Sequence, residues 1–125
     1  MAVVGPTAAG KSTLIARAQA VDPSLHEVMN NTSRAPRPGE RPGVDFNFKR
    51  RSEMEAEIAA HQYAQVVVHP TGDLYGTKAE DYSPEGVALM PVLASAVPVF
   101  RSLPFKRCRV VYVLPPTYDV WMQRV

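Results

Sequence analysis

The sequence predicts an α/β domain built on a mostly parallel sheet, with a smaller lobe inserted into it. Three features carry that expectation. The chain opens with an apolar run, a glycine loop and a helix-forming stretch in series. Apolar strand candidates then alternate with helical segments. From Asp45 to Thr77 the character changes to short half-polar strands around one helix.

Taken in order, Ala2-Val3-Val4 is a minimal buried strand feeding the turn at Gly5. From Ser12 to Ala20 the residues favour helix, with an apolar stripe of Leu14, Ile15 and Ala18, and Asp22-Pro23 stops it. His26 to Asn31 is a candidate second strand. Thr32 to Gly43, rich in Pro, Arg and Gly, is too broken for regular structure and forms a charged loop. Asp45 to Phe48 alternates polar and apolar as a half-buried strand does. SEMEAEIAA starts a helix, with Ser52 as N-cap and Glu55 completing a capping box. The β-branched run from Tyr63 to His69, the turn chemistry of Pro70 to Asp73 and the extended Leu74 to Thr77 form a hairpin-like pair. Val87 to Met90 and Arg109 to Leu114 are the remaining strand candidates, the latter closed by Pro115-Pro116. Thr117 caps a last short helix, on which Trp121 and Met122 are expected to be core contacts.

A chain of 125 residues with 46% hydrophobic side chains suits one compact domain with a single core. Its formal charge of +2 is too mild to imply a polyanion such as DNA. The basic residues are nevertheless uneven: Arg34, Arg37, Arg41, Lys49, Arg50 and Arg51 crowd one span, which reads equally as a local anion site or a solvated surface. Cys108 stands alone in an apolar run, so no disulfide forms within the chain and a reducing compartment is expected. No apolar stretch reaches the ~18 residues of a membrane span, and the N-terminus lacks the regions of a signal peptide, so a cytoplasmic protein is expected. His26, His61, His69 and Cys108 lack metal-site spacing.

Gly5-Pro6-Thr7-Ala8-Ala9-Gly10-Lys11-Ser12, with Thr13 following, fits G-x-x-x-x-G-K-[ST] at every fixed position and lies between a strand and a helix. The glycines let the backbone bend so that successive N–H groups and the positive helix end face a phosphate chain. Lys11 can reach β- and γ-phosphates, and the Ser12 hydroxyl can ligate Mg²⁺. The motif marks a nucleoside triphosphate site without choosing a reaction. Arg34 and Arg37, three apart on a proline-stiffened loop, can grip one dianion; in isolation a solvated basic loop is the simpler reading.

The ordered series GPTAAGKST, TSRAPRPGE, PGVDFNF, DLYGT and VVYVLPP resembles the guanylate kinase family over essentially the whole chain. That resemblance implies a phosphate-loop parallel-sheet core over residues 1–31 and about 78–125, and a small mixed or antiparallel GMP-binding lobe at about 32–77. It implies ATP and Mg²⁺ at residues 5–13, with Lys11, Arg34 and Arg37 catalytic and Ser12 on the metal. Arg34, Arg37 and Tyr75 would hold the phosphate of GMP, and Thr77 and Asn30 would touch the base, with Ser33 beside the first arginine. Gln65 stands where the family reads guanine with a carboxylate, and Phe46 stands where it has a second phosphate-binding tyrosine; a missing hydroxyl donor of that kind is worth ~1 to 3 kcal/mol. Where the family carries aspartates after the lobe, this chain has GVALMPVLASAV, with no acidic residue between Glu85 and Asp119. Arg124 resembles an arginine near the end of the family's pre-lid helix. The family's lid would follow Val125, so the chain is expected to be a fragment or truncated copy, of low stability alone. Transfer of the ATP γ-phosphate to GMP is the leading expectation. A non-catalytic module gripping phosphorylated partners, and a kinase acting on another phosphorylated small molecule such as a ribosyl phosphate, are the alternatives.

Overall fold

The computed structural model describes residues 1–82 and 85–125. In chain order the strands and helices are β1 (Ala2–Val4), α1 (Lys11–Val21), β2 (Leu25–Glu27), β3 (Asn31–Thr32), β4 (Asn47–Phe48), α2 (Arg51–Ala59), β5 (Gln65–Val68), β6 (Leu74–Thr77), β7 (Val87–Val92), α3 (Val97–Ser102), β8 (Val110–Tyr112) and α4 (Tyr118–Arg124). They form two compact units, Val28–Tyr82 and the remainder, Met1–Glu27 with the C-terminal segment through Val125.

The first unit holds a parallel sheet of order β2-β7-β1-β8. Its inner strand β1 is apolar at every position because both faces are covered, as parallel strands require. Val3 packs with Ile15 of α1 and Leu89 of β7, and Ala18, Leu25 and Val113 close around them. Met90 and Val92 are buried where the family resemblance led one to look for carboxylates. α4 begins at Thr117 as expected, its hydroxyl accepting from the Val120 N–H at 3.2 Å. Trp121 is half-buried, but Met122 is exposed, so the expected core role of Met122 does not hold.

The second unit carries a mixed sheet of order β4-β3-β6-β5, antiparallel except for the β3–β4 pair. β5 and β6 form the expected hairpin, pairing Gln65 with Thr77 and Val67 with Tyr75, while Thr32 of β3 also lies opposite Tyr75. Residues opposite one another, or two apart, share a face. One face of the lobe sheet therefore carries Thr32, Tyr75, Thr77, Gln65 and Val67. Met54 of α2 is completely buried.

Three local expectations are corrected. The candidate strand His26–Asn31 is two strands in different sheets, β2 and β3, because the chain passes from one unit to the other at Val28. Ser52 does not cap α2: the N-cap is Arg50, with no side-chain cap bond. Arg51 joins the helix instead, held by Glu55 at 2.8 Å and by the Gly72 carbonyl at 2.8 Å, which removes Glu55 from any capping box. α3 was not anticipated; its Val97-Pro98 start puts proline in the first turn, where the missing N–H costs nothing. Among the described residues no helix is long and apolar enough to cross a membrane.

Candidate functional site

The loop between β1 and α1 places residues 5–13 around a cleft of about 600 Å³ lined by Ala8 to Leu14 with Arg17 and Arg124. Gly5 must be glycine, because a Cβ there would lie 2.3 Å from the Val113 carbonyl oxygen. Gly10 (φ 103°) and Ala8 (φ 61°) take the left-handed backbone that turns the loop. Gly10 is the N-cap of α1 and supplies no side chain, and the first turn has no acidic residue, so its positive end is left for an external anion. Lys11 Nζ donates to the carbonyls of Gly5 at 2.7 Å and Pro6 at 2.8 Å, and burial lowers its pKa. A phosphate there would restore what the ammonium loses on burial. The Thr7 carbonyl accepts from the Trp121 indole N–H at 2.8 Å, tying the loop to α4. Ser12 and Thr13 are exposed at the helix start. Sequence reading missed Arg17, whose signal is its place one helical turn beyond Thr13 on α1.

In the lobe the structure gathers Arg34, Phe46 and Tyr75 together. Arg34 Nε donates to the Tyr75 hydroxyl at 3.0 Å, and its guanidinium carbon lies 5.2 Å and 5.8 Å from the ring centres of Phe46 and Phe48. Its fork is filled by Glu40, with Nη1 and Nη2 donating at 2.8 and 2.9 Å. Those bonds raise the Arg34 pKa and, against a smaller burial penalty, hold the Glu40 carboxyl at about 2, the Arg37 N–H contributing. Glu40 was overlooked in sequence, although it stands six residues after Arg34 in TSRAPRPGE. The Arg37 side chain is exposed and, among the described residues, unpaired. Ser33 does not reach this cluster: its hydroxyl accepts from the Leu74 N–H at 2.9 Å and pins the loop to β6.

Farther along the same sheet face, Gln65 Nε2 donates to Thr77 Oγ1 at 3.0 Å, and Thr77 Oγ1 and the Tyr82 hydroxyl are hydrogen-bonded at 2.6 Å, either serving as donor. Among the described residues, Gln65 Oε1 and Asn30 Oδ1 are buried without a hydrogen-bond partner. Asn30 immediately precedes β3, where the register continued by one residue sets it beside Thr77. Two buried acceptors in one row await donors. Nearby in sequence, Glu57 gathers Lys49 at 2.7 Å, Tyr63 at 2.6 Å and Lys78 at 3.1 Å. Burial works against its charge, but these donors prevail and hold it at about 2.

A parallel sheet whose first strand runs through a glycine-bent loop into an uncapped helix defines the phosphate-loop class of α/β proteins. Comparison with known proteins narrows the class. The family model described as guanylate kinase matches residues 1–125, and the chain belongs to that family. A guanylate kinase of Rubrobacter xylanophilus is 41% identical over 91 residues, 70% of this chain and 47% of that protein. Those of Nocardia farcinica and Sus scrofa are each 33% identical, over 98% and 97% of this chain and 66% and 63% of their own lengths. The chain thus spans between about half and two thirds of these relatives. The crystal structure of guanylate kinase from Anaplasma phagocytophilum shares the fold, with a TM-score of 0.79 at 16% identity, over 99% of this chain and 64% of that one.

Proposed function

We propose that this chain carries the donor and acceptor grips of a cytoplasmic enzyme that transfers the γ-phosphate of ATP to GMP, giving ADP and GDP. The observation that carries the reading is the family match over all 125 residues in a chain that keeps the complete phosphate loop with Lys11. In this reading residues 5–13 wrap the ATP phosphates, and Lys11 leaves the Gly5 and Pro6 carbonyls to meet the β- and γ-phosphates. The exposed Ser12 hydroxyl suits Mg²⁺, which takes few protein ligands and keeps waters and phosphate oxygens; the ion would neutralise the charge on the transferring group. The loop of Arg34 and Arg37, with Tyr75, grips the GMP phosphate. Gln65 and Asn30 supply acceptors for the N1–H and exocyclic amine of guanine, and Thr77 fixes the Gln65 amide so that its oxygen faces the base. Positioning and charge neutralisation are most of what phosphoryl transfer asks of a protein.

The test is a coupled assay of ADP release with GMP, dGMP, AMP and no acceptor. GMP-dependent release is expected, with AMP the poorer acceptor; release that ignores GMP would reject the reading.

A further inference from the structure

Three cations line the cleft beside the phosphate loop, Lys11, Arg17 and Arg124, and among the described residues no carboxylate lines it. Arg17 and Arg124 are exposed, and neither side chain has an ion-pair or hydrogen-bond partner among the described residues. Gly10, Thr13, Leu14 and Arg17 follow the i, i+3, i+4, i+7 spacing that sets residues on one stripe of a helix, and all four line the cleft. Ile15, fully buried with Val3 and Leu89, marks the side of α1 that faces the sheet. Arg17 stands two turns beyond Gly10, about 10 Å along the axis. A helical side chain leans toward the N-terminus of its helix, so Arg17 covers the turn around Thr13, on the side of the phosphate loop.

The same cleft is poor in ligands for a cation. β7 runs parallel to β1 with Val92 opposite Val4, so Val92 ends beside the strand that feeds the loop, and it is buried and apolar. Among the described residues no three His, Cys, Asp or Glu side chains gather where they could hold a metal ion. The side-chain oxygens of the cleft are the hydroxyls of Ser12 and Thr13. Mg²⁺ on a triphosphate cancels two of its negative charges and so weakens its attraction to all three cations, with only hydroxyls offered in return.

We infer that Arg17 is a donor-binding residue and that, with Lys11 and Arg124, it makes this cleft hold metal-free ATP more tightly than Mg²⁺-bound ATP. The assignment rests on the reading of residues 5–13 as an ATP site, and adds to it a residue and a preferred ionic form.

The test is isothermal titration calorimetry of the full chain with ATP in EDTA, with ATP in saturating Mg²⁺ and with inorganic tripolyphosphate in EDTA, all at one ionic strength. Metal-free ATP binds on the order of tenfold tighter than the Mg²⁺ form. Arg17→Ala weakens metal-free ATP and tripolyphosphate alike, on the order of tenfold, and weakens the Mg²⁺ form less, so the preference narrows. Arg17→Lys keeps most of the preference because the charge stays. Equal or tighter binding of the Mg²⁺ form by the parent would overturn the assignment. So would an Arg17→Ala variant that weakens neither form, or both by the same factor. Loss of ATP affinity with tripolyphosphate unchanged would overturn it too, since Arg17 would then serve the nucleoside. Should Arg17→Ala not fold, the parent decides: a metal-free preference that shrinks as salt rises upholds the assignment, and one indifferent to salt refutes it. A parent that binds neither form refutes the ATP site and this assignment together. One that shows the preference and its dependence on Arg17 but transfers no phosphate to GMP refutes the kinase reading alone and upholds the assignment.

Discussion

The two proposed anion grips are made of different material. In the first unit positive potential comes from the main chain at the start of α1, and the loop's own charged side chain, Lys11, rests on the loop's carbonyls. In the lobe the potential belongs to side chains, and Arg34 is paired with a carboxylate before any ligand arrives. A main-chain grip is indifferent to most side chains within it, so Thr7-Ala8-Ala9 can fill the loop provided the glycines hold. A side-chain grip depends on every counter-charge around it.

The largest effect expected from breaking this contrast is at Lys11. Lys11→Ala loses turnover on the order of 10³-fold in the coupled assay. Its far-UV circular dichroism stays that of the parent, because among the described residues the lysine bonds only to loop carbonyls. Gly5→Ala attacks the main-chain grip itself: the added methyl would meet the Val113 oxygen at 2.3 Å and cost about 1–3 kcal/mol in thermal unfolding. In the lobe, Arg34→Ala strands Glu40 and is expected to lower stability by about 1–3 kcal/mol, whereas Arg37→Ala stays within about 0.5 kcal/mol; denaturant melts separate the two.

Acid sharpens the same contrast. Glu40 and Glu57 are each held at about 2, below the ordinary 4.5, so their pairs stabilise the folded lobe fully above pH 4.5. That contribution is lost as pH falls from 4.5 toward about 2, and Glu40→Gln is expected to flatten part of the decline in an acid-unfolding series. The smallest effect is at the proposed base-reading position. Gln65→Glu adds one acceptor and is expected to lower KM for GMP by roughly fivefold, about 1 kcal/mol, without the same gain for AMP.

Legibility in the sequence followed the same division. β1, the loop and α1 could be read because glycine positions, an apolar strand and a helix stripe are local signals, and the β5–β6 hairpin announced itself through Pro70 to Asp73. What escaped was set by contacts distant in sequence. Ser52 lost its cap role to a helix lengthened by the Arg51 bonds to Glu55 and Gly72. The division of His26–Asn31 between two sheets depends on Ala88 opposite His26 and Gly76 opposite Asn31, partners 62 and 45 residues away. Arg34 and Tyr75 were paired through family resemblance, and their hydrogen bond spans 41 residues. Glu40 was passed over because an acid beside two arginines reads as surface charge until both arms of one fork are seen to close on it.

The bond from Trp121 to the Thr7 carbonyl has an optical consequence. Trp121 is the single tryptophan of the chain, and its ring also meets Tyr118 edge-on at 6.1 Å. The loop proposed to hold ATP therefore carries its own fluorophore. A ligand that redirects the loop carbonyls will change the polarity felt by that indole, and rapid mixing of unlabelled protein with ATP will register as a change in intrinsic emission whose rate is the rate at which the loop responds.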